Sequence, residues 1–151
     1  MSTKISAIHD ALVSRIQTNL SSYLQLPNPY IIEENPSSYL KLGFAVAIGQ
    51  GERTDRVIGC QVSWKRTFIV TLTNFVTATD SNTTVRETLT KGILEDHFTL
   101  LKQFEKAASL SGNAIDAILV ADSGIKFLVI EGTPYYIVEI ELEVEYLEDL
   151  T

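Results

Sequence analysis

Histidine and cysteine, the side chains that most often build catalytic or metal centres, are nearly missing. The 151-residue chain has two histidines, His9 and His97, and one cysteine, Cys60. One thiol cannot form an internal disulfide or hold zinc unaided. Cys60 therefore reads as a small strand residue near the core, and nothing calls for an oxidising compartment. Nor is there an apolar stretch near the roughly 18 residues of a membrane span, so no membrane partner is expected. The N-terminal Met1-Ser2-Thr3-Lys4 leads into an amphipathic pattern, not a continuous apolar run. That does not fit an ordinary signal peptide, and cytoplasmic synthesis and folding are expected. Positive charge is also scarce. Twelve Lys and Arg face nineteen Asp and Glu, a net charge of -7. This argues against a protein that grips nucleic acid by its phosphates, though not against one that nucleic acid passes.

Catalytic motifs are missing too. The chain has no G-x-S-x-G elbow, no Walker loop and no histidine placed to activate a serine. Gly49-Gln50-Gly51 joins two strand-like segments, whereas phosphate-cradling loops lead into helices. His9-Asp10 and Asp96-His97 are neighbours on helical stretches. Adjacent helix residues point about 100° apart, so neither pair presents a joint site by itself, and both histidines read as solvent-facing helix residues. Asp122 reads as a turn residue. No catalytic residue, metal site or cofactor is expected.

What is present is an ordinary globular share of hydrophobic residues, 45%, enough for a single domain over 1–151. Ile5, Ile8, Leu12, Ile16, Leu20 and Tyr23 recur at helical spacing. Ser2 or Thr3 can cap them, and Pro27-Asn28-Pro29 is expected to stop the helix. Tyr30 to Glu33 suits a short strand, and Leu40 to Ile48 a longer one. Gly49 to Arg56 reads as a polar loop, and Val57 to Thr77 as a strand. Thr84 and Glu87 fit a capping box. A second helix follows, with Val85, Leu89, Ile93, Leu94, Phe98, Leu101, Phe104 and Ala108 as its apolar stripe and Ser111-Gly112-Asn113 as its stop. Three strands then run from Ile115 to Ala121, Ile125 to Glu131 and Pro134 to about Leu147. Turns are expected at Asp122-Ser123-Gly124 and Gly132-Thr133. The expected fold is α+β: a twisted, mainly antiparallel sheet with two helices packed on one face.

The most informative feature is the last strand. Glu139, Glu141, Glu143 and Glu145 alternate with Ile140, Leu142, Val144 and Tyr146. The apolar set belongs on the core. The glutamates belong on the opposite face, about 6.6 Å apart, where neighbouring carboxylates repel by about 0.6 kcal/mol in bulk water. Two uses fit: a plain solvated face, or a negative wall in an assembly.

With the order helix, strands, helix, hairpin and with this terminal strand, Pro134 to Tyr146, the whole chain resembles the tail terminator proteins of tailed bacteriophages. The resemblance implies a structural virion protein of the tail or neck, made in the host cytoplasm, not an enzyme. It implies a hexameric ring that caps the tail tube, stops its polymerisation and offers an interface to the head connector or head completion protein. DNA would pass through without specific binding. On that reading Glu139, Glu141, Glu143 and Glu145 would line the lumen. Arg53, Arg56, Lys65 and Arg66 are the candidates for contacts with neighbouring subunits or the tube protein. A related head-to-tail joining or tail-completion protein, and a monomeric binding module, are the alternatives.

Overall fold

The computed structural model describes residues 3–25, 42–75, 83–105, 114–130 and 133–149. Helix α1 spans Lys4–Asn19. Thr3 caps it, its Oγ1 accepting the Ser6 N–H at 3.2 Å, which satisfies one of the donors a helix start leaves free. Ile8, Leu12 and Ile16 form its fully buried stripe. The helix ends at Asn19, earlier than the proline-rich segment that was expected to stop it. Leu20 leaves helical geometry (φ -127°, ψ 64°), and its N–H makes the last bond to Ile16. Tyr23 lies just beyond the helix yet is buried, so its place in the helical spacing was coincidental.

Five strands form one sheet: β1 (Leu24–Gln25), β2 (Leu42–Ile58), β3 (Gln61–Phe75), β4 (Asp116–Ile130) and β5 (Thr133–Asp149), with helix α2 (Thr83–Glu105) between β3 and β4. Their order across the sheet is β1-β2-β3-β5-β4. The two-residue β1 runs parallel to β2, and every other pairing is antiparallel. The α+β architecture read from the sequence is the one observed.

Two expected breaks are not breaks. The polar segment 49–56 is strand, not loop. β2 continues through it, pairing Glu52 with Lys65 and Arg53 with Trp64. Irregularities between Ile48 and Gly51 and between Arg53 and Val57 absorb extra residues as bulges. The chain reverses at Gly59-Cys60, inside the stretch read as one long strand. Gly59 adopts φ +61°, a conformation that costs glycine little, which places the turn there. Cys60 is therefore exposed in a turn, not tucked near the core. Polar composition suggested a loop because it reports solvent contact. Here β3 supplies the ladder partners, and β5 supports β3 as far as the Gln61–Asp149 pair.

Likewise, Asp122-Ser123-Gly124 is a bulge within a continuous β4, between ladder pairs Asp122–Ile140 and Ile125–Val138. The expected stop at 27–29, the strand at 30–33, the helix stop at 111–113 and Gly132 lie outside the described residues. So do the side chains of Thr84 and Glu87.

The core forms where the helices cover one sheet face. Phe44, Val46, Phe68, Val70, Leu72, Val138, Ile140, Leu142, Val144 and Tyr146 meet the α1 stripe and the α2 residues Ile93, Leu100 and Phe104. The buried line of α2 is Ile93, His97, Leu100 and Phe104, a helical i, i+4, i+7, i+11 series. Leu94 and Phe98, expected in the stripe, are 37% and 56% exposed. A polar residue within the true stripe hid it from a pattern search.

Candidate acidic face and the polar contacts around it

Residue parity on β5 places its two sets as expected. Ile140, Leu142, Val144 and Tyr146 are buried beneath the helices. Glu139 and Glu141 on the opposite face are exposed, and Glu143 and Glu145 are partly so. On β3 the residues in register with the row are Thr71, Ile69, Thr67 and Lys65. On β4, Ala121, Ile118 and Asp116 lie beside Glu141, Glu143 and Glu145. Among the described residues, the cations in register or ion-paired with the row are at its two ends. Lys126 Nζ lies 3.7 Å from Glu139 Oε2, and Lys65 is the ladder partner of Glu145. Ser63 donates to Glu145 Oε1 at 2.8 Å. Among the described residues Glu141 and Glu143 have no cationic partner. The acidic face does not extend over the whole sheet. Near the β1 end the same side buries Ala45, Thr71, Thr73, Tyr135 and Ile137.

The proposed contact residues divide. Arg53 and Lys65 are exposed, and the Arg56 side chain lies outside the described set. Arg66 turns inward. Its Nε donates to Tyr146 Oη and its Nη1 to the Gly49 carbonyl, both at 3.1 Å. The guanidinium lies so close over Gly51 that a Cβ there would stand 2.5 Å from Arg66 Cζ. The glycine pair flanking Gln50 thus serves a close approach, not a phosphate loop. Beside it an open hollow of about 500 Å³ brings Lys65 and Arg66 together with Glu52 and Glu143. Its mixed charge offers no single-sign anion site.

His97 is buried, against expectation, and His9 has only a quarter of its side chain exposed. His9 Nε2 donates to the Val46 carbonyl at 3.0 Å, joining α1 to β2. His97 is 5% exposed and its Nε2 lies 2.9 Å from Asp122 Oδ1. A carboxylate can only accept, so Nε2 carries the proton. The same Oδ1 accepts the Gly124 N–H at 2.8 Å. Ser123 Oγ donates to the Gly124 carbonyl at 2.7 Å and accepts the Glu139 N–H at 2.9 Å. Asp122 therefore does organise a local reversal, as its turn chemistry suggested, but within a bulge that also anchors α2. Ser123 is committed to backbone on both sides and is not held against His97 as a nucleophile would be.

A second contact missed in the sequence joins Tyr23 and Asp96, with Oη donating to Oδ2 at 2.8 Å. Burial first, and the adjacent carboxylate second, hold the Tyr23 hydroxyl well above the ordinary tyrosine range. Among the described residues no cluster of three or more His, Cys, Asp or Glu could hold a metal ion. A comparison with protein-family models finds no family that matches this chain, and one with curated proteins finds no matching relative.

Proposed function

We propose that the chain is a structural protein of a phage tail, a terminator whose copies form a ring on the last ring of tube subunits. The ring stops polymerisation and presents the interface to the head connector. The observation that supports the reading is the row of four glutamates on the face of β5 turned away from the helices, with Glu141 and Glu143 in no ion pair among the described residues. Such a face turned towards a channel repels phosphates, so DNA passes without adhering. The reading needs no chemistry. It needs shape-specific contacts between copies and with the tube, of the kind symmetric assemblies use.

Electron microscopy of the purified protein, alone and with tail tubes, is the direct test. Six-fold rings or capped tube ends are expected. A protein that never associates with tubes would sink the proposal. Disrupting the gene should give overlong or uncapped tails. Normal-length tails lacking heads would instead assign the chain to head-to-tail joining. Replacing Glu139, Glu141, Glu143 and Glu145 with glutamine should leave the fold intact and increase DNA retention by the ring. Unchanged retention would remove the glutamates from the lumen.

A further inference from the structure

Two layers of the molecule expose apolar side chains at the same border. Phe127 and Val129 on β4 are 58% and 59% exposed, and Leu94 and Phe98 on α2 are 37% and 56% exposed. α2 packs on β4, and α1 packs on β2 and β5. Asp96 turns towards the α1 side, where it accepts the Tyr23 hydroxyl. Leu94 and Phe98 each stand two residues from Asp96, about 200° round the helix. They therefore point away from α1 and overhang the outer border of β4. The bond from His97 to Asp122 pins α2 above that strand. Beneath, Ile125, Phe127 and Val129 share the helix-covered face, where Ile125 packs against the core and the Phe127 ring meets Tyr136 at 5.8 Å. β4 ends the strand order, so one row of its backbone N–H and C=O groups has no ladder partner among the described residues. Its two halves differ. Register shifts between Leu119 and Ala121 and between Asp122 and Ile125 make the first half irregular, and bulges blunt an edge. Residues 125–130 follow β5 without a shift. Lys126 is the one charge among them, and it lies on the glutamate face, 3.7 Å from Glu139. A regular edge beneath apolar side chains is a template for strand addition.

We propose that this border pairs with itself between two copies of the chain, residues 125–130 of one copy antiparallel to 125–130 of the other about a two-fold axis at Phe127. Any strand matches itself in the antiparallel sense, and an axis normal to the sheet keeps each face with its like. An axis at Phe127 sets that ring against its own copy and Ile125 opposite Val129 of the second copy. All three lie on the helix-covered face, as directly opposed residues of an antiparallel ladder must. Leu94 and Phe98 of each copy then meet above the seam and exclude water from it. About seven residues of strand span about 24 Å, and the sheet and helix layers together about 20 Å, giving about 500 Å² per copy against about 800 Å² in a standard interface. A contact of that size is weak and reversible. Two chains of net charge -7 repel each other, and the seam has no ion pair to offset it. Salt screens the repulsion, so association should strengthen as salt is added. The contact is isologous and closes at two copies. It stands apart from the head-to-tail contacts of a ring and does not rest on the tail reading.

The test uses the full chain with Cys60→Ser as background. Light scattering should show the mass rising with concentration from one copy to two and no further, with the dimer favoured by added salt. A short bis-maleimide should join Phe127→Cys into covalent dimers. Ile118→Cys, about 30 Å from the axis along the same strand, should give about tenfold less. Phe127→Lys with Val129→Lys should weaken dimerisation about tenfold or more. Circular dichroism should stay unchanged, since both positions are more than half exposed. Phe98→Lys should weaken the dimer as well, because the helix layer closes the seam. A chain that stays monomeric at its highest soluble concentration would overturn the pairing. So would dimers that tolerate the lysines, or equal cross-linking at positions 118 and 127. Dimers that come apart as salt is added would overturn it too, since a charge-paired surface would then be holding them.

Discussion

At the scale of single residues, the polar contacts that join the layers are the ones with measurable consequences. Tyr23 illustrates the sign of a pH effect. Its hydroxyl holds its proton more tightly in the folded protein than in the unfolded chain. The stabilisation it contributes is therefore whole below about pH 10, the unfolded tyrosine value, and falls as the pH rises above it. Tyr23→Phe removes the bond to Asp96 and should cost about 1–2 kcal/mol at neutral pH. It should also flatten the alkaline loss of stability, as read from urea unfolding between neutral pH and pH above 10. His97 and Asp122 call for a double-mutant cycle. His97→Leu and Asp122→Ala should each destabilise by about 1–3 kcal/mol, and together by less than their sum, with a coupling of about 1 kcal/mol or more. Additive losses would mean that the pair does not act as a unit. Neither contact was legible in the sequence, because both join residues far apart in the chain. Tyr23 meets Asp96 and His97 meets Asp122 only after α2 is laid on the sheet.

At the scale of elements, β5 was the best-read part of the chain and the β2–β3 hairpin the worst. Strict alternation from Glu139 to Tyr146 leaves one way to face a core. The zero exposure of Ile140, Leu142 and Val144 follows from it. Leu142→Asp should unfold the protein, costing more than about 4 kcal/mol, since the new carboxylate has no partner there. A retained cooperative transition would refute that account of the core. Glu141→Gln with Glu143→Gln tests the wet face. Relief of repulsion should raise the urea midpoint slightly, by no more than about 1 kcal/mol at low salt, and the gain should shrink as salt is added. In the hairpin, polarity over 49–56 was read as a loop because composition reports exposure and not backbone pairing. The bulges of β2 and β4 were invisible for a related reason. Which extra residue leaves a ladder depends on its partner strand, and Gly51 acquires its reason only from Arg66 lying across it.

At the scale of the whole molecule, protection should follow strand order. Among the described residues β3 and β5 are paired on both sides, whereas β4 is paired on one. Amide hydrogen exchange should be slowest along β3 and β5 and fastest at the β4 bulge. Equal protection along β4 and β5 in the monomer would contradict the strand order. The layer arrangement was legible because helical and alternating periods segregate along the chain. The edges were not, because an edge is a property of the order in which strands assemble.

That order has a consequence for synthesis. The strand in the middle of the large hairpins, between β3 and β4, is β5, which comes after every other described strand in the chain. Until residues 133–149 leave the ribosome, the β2–β3 hairpin and β4 have no common neighbour. Ile140, Leu142 and Val144 are also missing from beneath the helices. A nascent or truncated chain lacking β5 exposes apolar surface and additional unpaired edges, and it cannot display the acidic row. Folding thus works as a completeness check: the segment that bears the glutamates is also the segment that closes the sheet, so a stable fold always carries them.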